Sequence, residues 1–183
     1  MLFNSYNFIF LFLPVVLIGF HWIGLMGRHR FAIVWLIAAS LFFYGWWNPA
    51  YLGLILGSMV FNYMLGIAII SQVGKQKFLV IGITVNLALL GYFKYANFFV
   101  DNLNSLVGSN FTLETIILPL AVSFFTFQQI IYLVDAHRGN ISKYNFLYYA
   151  LFVSFFPQLI AGPIVNHKEM FPQFMRNTLF RLK

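Results

Sequence analysis

The sequence predicts an all-α, polytopic transmembrane protein of about six membrane segments. Three observations carry this. The 183-residue chain is 61% hydrophobic and only 8% charged, where soluble domains average about 45–50% apolar and about 25% charged. Its charged residues leave long uncharged intervals, and its basic residues gather in the short gaps between them. Eleven basic and four acidic side chains cannot cover a soluble surface of this size, and an aromatic content of 21% excludes a disordered linker. The absence of cysteine excludes disulfides, thiolate nucleophiles and thiolate metal sites. A net charge of +7 looks at first like a nucleic-acid signal. Basic residues in short loops beside apolar segments instead set membrane orientation, so the expected partner is a lipid bilayer and not nucleic acid.

The segments follow in order. Residues 1–27 carry no charged side chain, with a dense apolar core over 8–26. Residues 31–74 are also uncharged; as one helix they would run about 66 Å, roughly twice the hydrocarbon core, so they cross twice. The turn is assigned to Trp46-Trp47-Asn48-Pro49, because proline restricts its predecessor and indoles favour the interface. Further segments span 78–93, 115–134 and 146–165, the fourth short and the sixth irregular. The connector 94–114 opens with Lys94-Tyr95-Ala96-Asn97-Phe98-Phe99, which suits the headgroup zone. A signal-peptide reading of the first segment fails, since no Lys or Arg precedes its long apolar run.

Arg28 and Arg30 follow the first span, which predicts an outer N-terminus and a cytoplasmic first loop. Alternation then puts Lys75, Lys77, Arg138 and Lys143 inside and Lys94 outside. Six full crossings would place Lys168, Arg176, Arg181 and Lys183 outside, against the rule. The conflict points to a re-entrant or broken segment between residues 92 and 165. Pro119, Pro157 and Gly162-Pro163 supply the backbone breaks.

Polar side chains in apolar segments need a partner or a cavity. Asn62 and Asn86 read as interhelical hydrogen-bonding groups, and His21 as a neutral imidazole bonded to a neighbouring helix. The fifth segment is richer: Ser123, Thr126, Gln128 and Gln129 fall close together and lead to Asp135, His137 and Arg138. Helical spacing brings Ser123, Thr126 and Gln129 near one face. A water-lined passage and a polar knot between helices both fit. Residues 156–164 interrupt a helix twice, and unwound backbone at membrane depth survives where it is buried or lines a cavity; a substrate path is slightly favoured over a simple kinked helix end at the interface. The four acidic residues are dispersed, and His137 and His167 lack ligand spacing, so neither a carboxylate pair nor a metal site is expected. No inverted repeat supports a transporter.

Five ordered blocks carry a resemblance. Met1-Leu2-Phe3-Asn4-Ser5-Tyr6 running into Phe10-Leu11-Phe12-Leu13-Pro14 opens the chain, and Ser40-Leu41-Phe42-Phe43-Tyr44-Gly45-Trp46-Trp47-Asn48-Pro49 follows. Then come Lys94-Tyr95-Ala96-Asn97-Phe98 and Leu118-Pro119-Leu120-Ala121-Val122-Ser123-Phe124-Phe125-Thr126-Phe127-Gln128. The last is Pro157-Gln158-Leu159-Ile160-Ala161-Gly162-Pro163-Ile164, continuing to Phe174. Together they resemble bacterial membrane-bound O-acyltransferases (MBOAT) of the alginate O-acetylation type.

That resemblance implies a single transmembrane domain over residues 1–183, the N-terminal part of an MBOAT fold whose bent helices surround a tunnel. It implies transfer of an acetyl or other acyl group from a cytoplasmic thioester, such as acetyl-CoA, to a cell-surface polysaccharide such as alginate. No bound cofactor is expected. Ser123, Thr126, Gln128, Gln158, Pro163 and His167 become the tunnel-lining candidates. The family's catalytic histidine belongs to a later segment, and none of His21, His29, His137 or His167 occupies its position. The resemblance therefore implies that the fragment alone is inactive without the C-terminal half. A stand-alone membrane scaffold or transporter-like subunit is the alternative. The implied setting is the bacterial inner membrane, with a periplasmic or extracellular acetyltransferase as a further partner.

Overall fold

A computed structural model of the chain describes residues 3–71, 74–108, 116–140 and 145–161. Among them every regular element is helical. Four helical stretches are long and apolar enough to cross a membrane: Asn7–Leu25, His29–Trp46, Ala50–Ile70 and Lys75–Val107. The chain is thus an all-α membrane protein. It divides into two compact units, Met1–Tyr63 with Lys143–Lys183, and Met64–Ser142.

In the first unit a π-helical turn, Asn7–Phe12, runs directly into α1 (Leu13–Leu25), with Pro14 in the first turn of α1. A proline ring crowds the carbonyl four residues back, and a widened turn relieves it. Gly27, at φ 72°, turns the chain into α2 (His29–Trp47). The α1–α2 contact is close: a Cβ on Gly19 would lie 2.7 Å from the Trp35 indole. That indole donates Nε1–H to the Val16 carbonyl at 3.0 Å, so its polar edge is satisfied without water.

α2 ends where the sequence predicts. Asn48 is extended before Pro49, at φ −155° and ψ 111°. Its Oδ1 accepts from Ala50 N at 3.0 Å and opens α3 (Ala50–Ile70). Ala32, Ile33, Leu36, Ala39, Ser40, Phe43 and Tyr44 form the buried stripe of α2. Later in the chain Asn145 Oδ1 accepts from Leu147 N at 3.1 Å and caps α6 (Phe146–Ser154); after Phe155, α7 (Phe156–Ala161) follows. The core of the unit is aromatic. The rings of Phe8, Phe12, Phe43 and Phe156 are all mutual neighbours, with centroids 5.3–6.0 Å apart. Such pairs contribute about 0.5–1.5 kcal/mol each beyond simple burial.

The second unit contains α4 (Lys75–Val107), bounded by left-handed glycines Gly74 and Gly108. This departs from the expected span over 78–93 followed by an interfacial connector. The helix continues through Lys94 to Val107, because one lysine interrupts hydropathy without interrupting backbone hydrogen bonding. α5 (Val122–His137) is shorter than its expected segment, since residues 116–121 are not helical. Ala121 takes up a left-handed conformation at φ 56°, immediately after Pro119-Leu120. α5 closes in a Schellman turn: Asn140 N donates to the Asp135 carbonyl at 3.0 Å and Gly139 N to Ala136 at 3.2 Å. Gly82 of α4 admits Leu133, and Gly66 of α3 admits the Tyr132 ring; a Cβ at either position would collide.

Candidate functional site

α5 presents the densest buried polarity among the described residues. Thr126, Gln128, Gln129 and Asp135 are all buried within its 16 residues. Asp135 Oδ1 accepts from Asn140 Nδ2 at 3.0 Å, which ties that carboxylate to the helix end. Thr126 Oγ1 and Gln128 Oε1 are different: both are buried and neither has a hydrogen-bond partner among the described residues. Two unmet polar atoms on one short helix are unusual, since buried polar groups are nearly always paired.

Helical geometry spreads these groups more widely than sequence spacing suggested. At 100° per residue Thr126 and Gln128 stand about 160° apart, at opposite edges of a buried arc that includes Phe125, Gln129 and Tyr132. Ser123 lies outside that arc and is half-buried, while Phe127 is exposed. α5 therefore offers two polar edges flanking an aromatic strip. Its chemistry is that of binding. An amide oxygen accepts a hydrogen bond and a threonine hydroxyl donates or accepts one. His137, the histidine of this helix, follows Thr126 by eleven residues, about 16 Å along the axis, too far to activate that hydroxyl.

The first unit holds the second polar feature, the break between α6 and α7. Phe155 leaves helical geometry at φ −55° and ψ 105°, one residue ahead of the Phe156-Pro157 bond. Gln158 is buried, and its backbone N–H turns back to the Phe155 carbonyl at 3.1 Å. Ser40 Oγ donates to the Leu36 carbonyl at 2.7 Å and accepts from Phe156 N at 3.3 Å. Four residues further along α2, Tyr44 is buried, and its hydroxyl has no partner among the described residues.

Of the predicted tunnel-lining residues, Thr126 and Gln128 are buried on α5, Ser123 is at its half-buried flank, and Gln158 is buried at the α7 turn. Pro163 and His167 lie outside the described residues. Asn62 and Asn86, expected to bond between helices, are buried, and each donates within its own helix to the carbonyl four residues back, at 2.9 and 2.7 Å. Ser40 and Tyr44 were not legible as polar-site residues. Their only signal was hydroxyls four apart in an otherwise apolar interval.

No family model matches the chain, and no solved structure matches it. Individual relatives do. It is 44% identical over 203 residues to the peptidoglycan O-acetyltransferase of Helicobacter pylori, covering 95% of this chain and 38% of that protein. It is 41% identical over 187 residues to the probable alginate O-acetylase AlgI of Pseudomonas aeruginosa, covering 97% of this chain and 35% of that one. The corresponding protein of Azotobacter vinelandii is 39% identical over the same length. The chain is homologous to a region of the MBOAT-type O-acetyltransferases. It spans 35–38% of the length of these relatives. Both polar features, at Leu118–Gln128 and at the Pro157 break, fall in blocks that carry the MBOAT resemblance.

Proposed function

We propose that this chain forms part of a membrane-bound O-acyltransferase, which moves an acetyl group from a cytoplasmic thioester such as acetyl-CoA to a polysaccharide at the outer surface of a bacterial inner membrane. The observation that carries this is the match along 95–97% of the chain to proteins named peptidoglycan O-acetyltransferase and alginate O-acetylase. The unmet buried oxygens of α5 support the same reading. A path for a hydroxyl-bearing acceptor or a thioester carbonyl needs polar atoms that the protein itself leaves unsatisfied. In the second unit Thr126 and Gln128 are the substrate-orienting groups, with Ser123 at the flank of α5; in the first unit Gln158 has that role, and Pro163 and His167 are candidates by resemblance alone. Bond-making belongs to a histidine outside this chain, so the isolated 183-residue fragment is inactive.

The N-terminus faces outward, and Arg28, Arg30, Lys75 and Lys77 face the cytoplasm with the thioester pool. A periplasmic or extracellular acetyltransferase acts downstream on the acceptor. Deleting the gene in its own host and measuring ester-linked acetate on peptidoglycan and on exopolysaccharide tests the proposal. Loss of acetate from one polymer, restored by the gene, supports the function and names the acceptor class. Unchanged acetate on both favours a scaffold or transporter-like subunit.

A further inference from the structure

Serines inside apolar helices ordinarily satisfy their hydroxyl by donating to a carbonyl one turn back. Ser154 does this toward Ala150 at 2.7 Å, and Ser40 does it toward Leu36 at the same distance. Ser40 goes further. Its Oγ also accepts the backbone N–H of Phe156 at 3.3 Å, across 116 residues of sequence. In an unbroken helix that amide would donate to Phe152, and the break at Phe155 removes that partner. Phe155 N still reaches Leu151 at 2.9 Å, and Gln158 N reaches Phe155 at 3.1 Å. Pro157 has no N–H to place. Phe156 thus carries the amide that the break strands, and it is only 3% exposed while Ser40 is fully buried. An unpaired amide at that depth is costly, because no water is there to take it.

We propose that Ser40 is a positioning residue which holds the α6–α7 break against α2 and so fixes where Gln158 is presented. Two anchors converge on Phe156. Its ring sits among Phe8, Phe12 and Phe43, with centroids 5.3–6.0 Å away, and its amide is taken by Ser40. Packing alone fixes a ring but leaves the backbone free to rotate about it. The hydroxyl adds the directional restraint. A single Oγ suffices, since it donates with its one proton and accepts with a lone pair. This inference deepens the acyltransferase reading, and its functional half rests on it.

The structural half is tested on the full 183-residue chain in lipid nanodiscs by amide hydrogen exchange. Ser40→Ala should speed exchange at Phe156 about tenfold, as expected for one buried hydrogen bond. Ser40→Thr should keep it slow. Ser154→Ala, which removes only a bond within its own helix, should leave Phe156 unaffected. Unchanged exchange in Ser40→Ala would overturn the clamp. The functional half is read in the host, with the gene in its own reading frame. Ser40→Ala should lower the rate of polymer acetylation several-fold at unchanged protein level, and Ser40→Thr should restore it. Full acetylation by Ser40→Ala, alongside fast exchange, would reduce the clamp to architecture and overturn its positioning role. If the unmodified protein supports no acetylation, the acyltransferase reading fails, and the exchange result still decides the clamp.

Discussion

Ala121 holds a left-handed backbone, φ 56° and ψ 21°, without being glycine. That conformation costs an L-residue about 1–2 kcal/mol, and here it turns the non-helical approach through Pro119 into α5. Ala121→Gly should therefore raise thermal stability in detergent, by up to about 1 kcal/mol after the extra chain entropy of glycine is offset. Thr126 argues the other way. Its hydroxyl is buried and has no partner among the described residues, so Thr126→Val removes an unmet polar atom at nearly constant volume and should not destabilise the fold. On the functional reading it should still lower acetylation, read as ester-linked acetate on the host polymer. A hydroxyl with no role would leave acetate unchanged. Sequence alone identified Thr126 and Gln128 as embedded polar groups. It grouped Ser123 with Thr126 by spacing, and that grouping could not foresee that the buried arc of α5 excludes Ser123.

At the scale of elements, the strongest sequence signals came from the ends of helices. Asn48-Pro49 divided a 44-residue uncharged interval where the structure does, because an extended residue before proline and an Asn cap are local physics. Hydropathy misjudged α4, whose helix passes Lys94 and continues to Val107, and it extended the fifth segment over residues 116–118, which are not helical. The break of the sixth segment was legible from Pro157. Its resolution by Ser40 was not, since that contact joins positions 116 residues apart. Helix contacts in the second unit depend on small residues. A Cβ at Gly82 would meet Leu133 and lie 3.1 Å from Leu65 Cδ1. Gly82→Ala should lower thermal stability by about 1–3 kcal/mol, the usual cost of overpacking. An unchanged melting temperature would mean that α4 and α5 do not pack this closely.

At the scale of the whole chain, the described residues hold four membrane-length helices, which correspond to the first four of the six segments that the uncharged intervals predict. The proposed orientation puts Arg28, Arg30, Lys75 and Lys77 on the cytoplasmic side. The chain has no cysteine, so single substitutions label unambiguously. Ser5→Cys should react with an impermeant thiol reagent added outside intact cells, and Gln76→Cys only after permeabilisation. The reverse pattern would invert the orientation and put the thioester on the wrong side of the basic loops. Gln128 is the residue at which substrate contact and packing separate for the unmet polar atoms of α5. The decisive measurement pairs the thermal stability of Gln128→Leu with polymer acetate in a host carrying that variant in the gene's own frame. Stability should be unchanged or higher, because a buried amide oxygen with no partner among the described residues is removed, while acetate should fall at least about tenfold, the loss expected when one oriented hydrogen bond to substrate disappears. Full acetylation at unchanged stability would contradict a substrate role for Gln128.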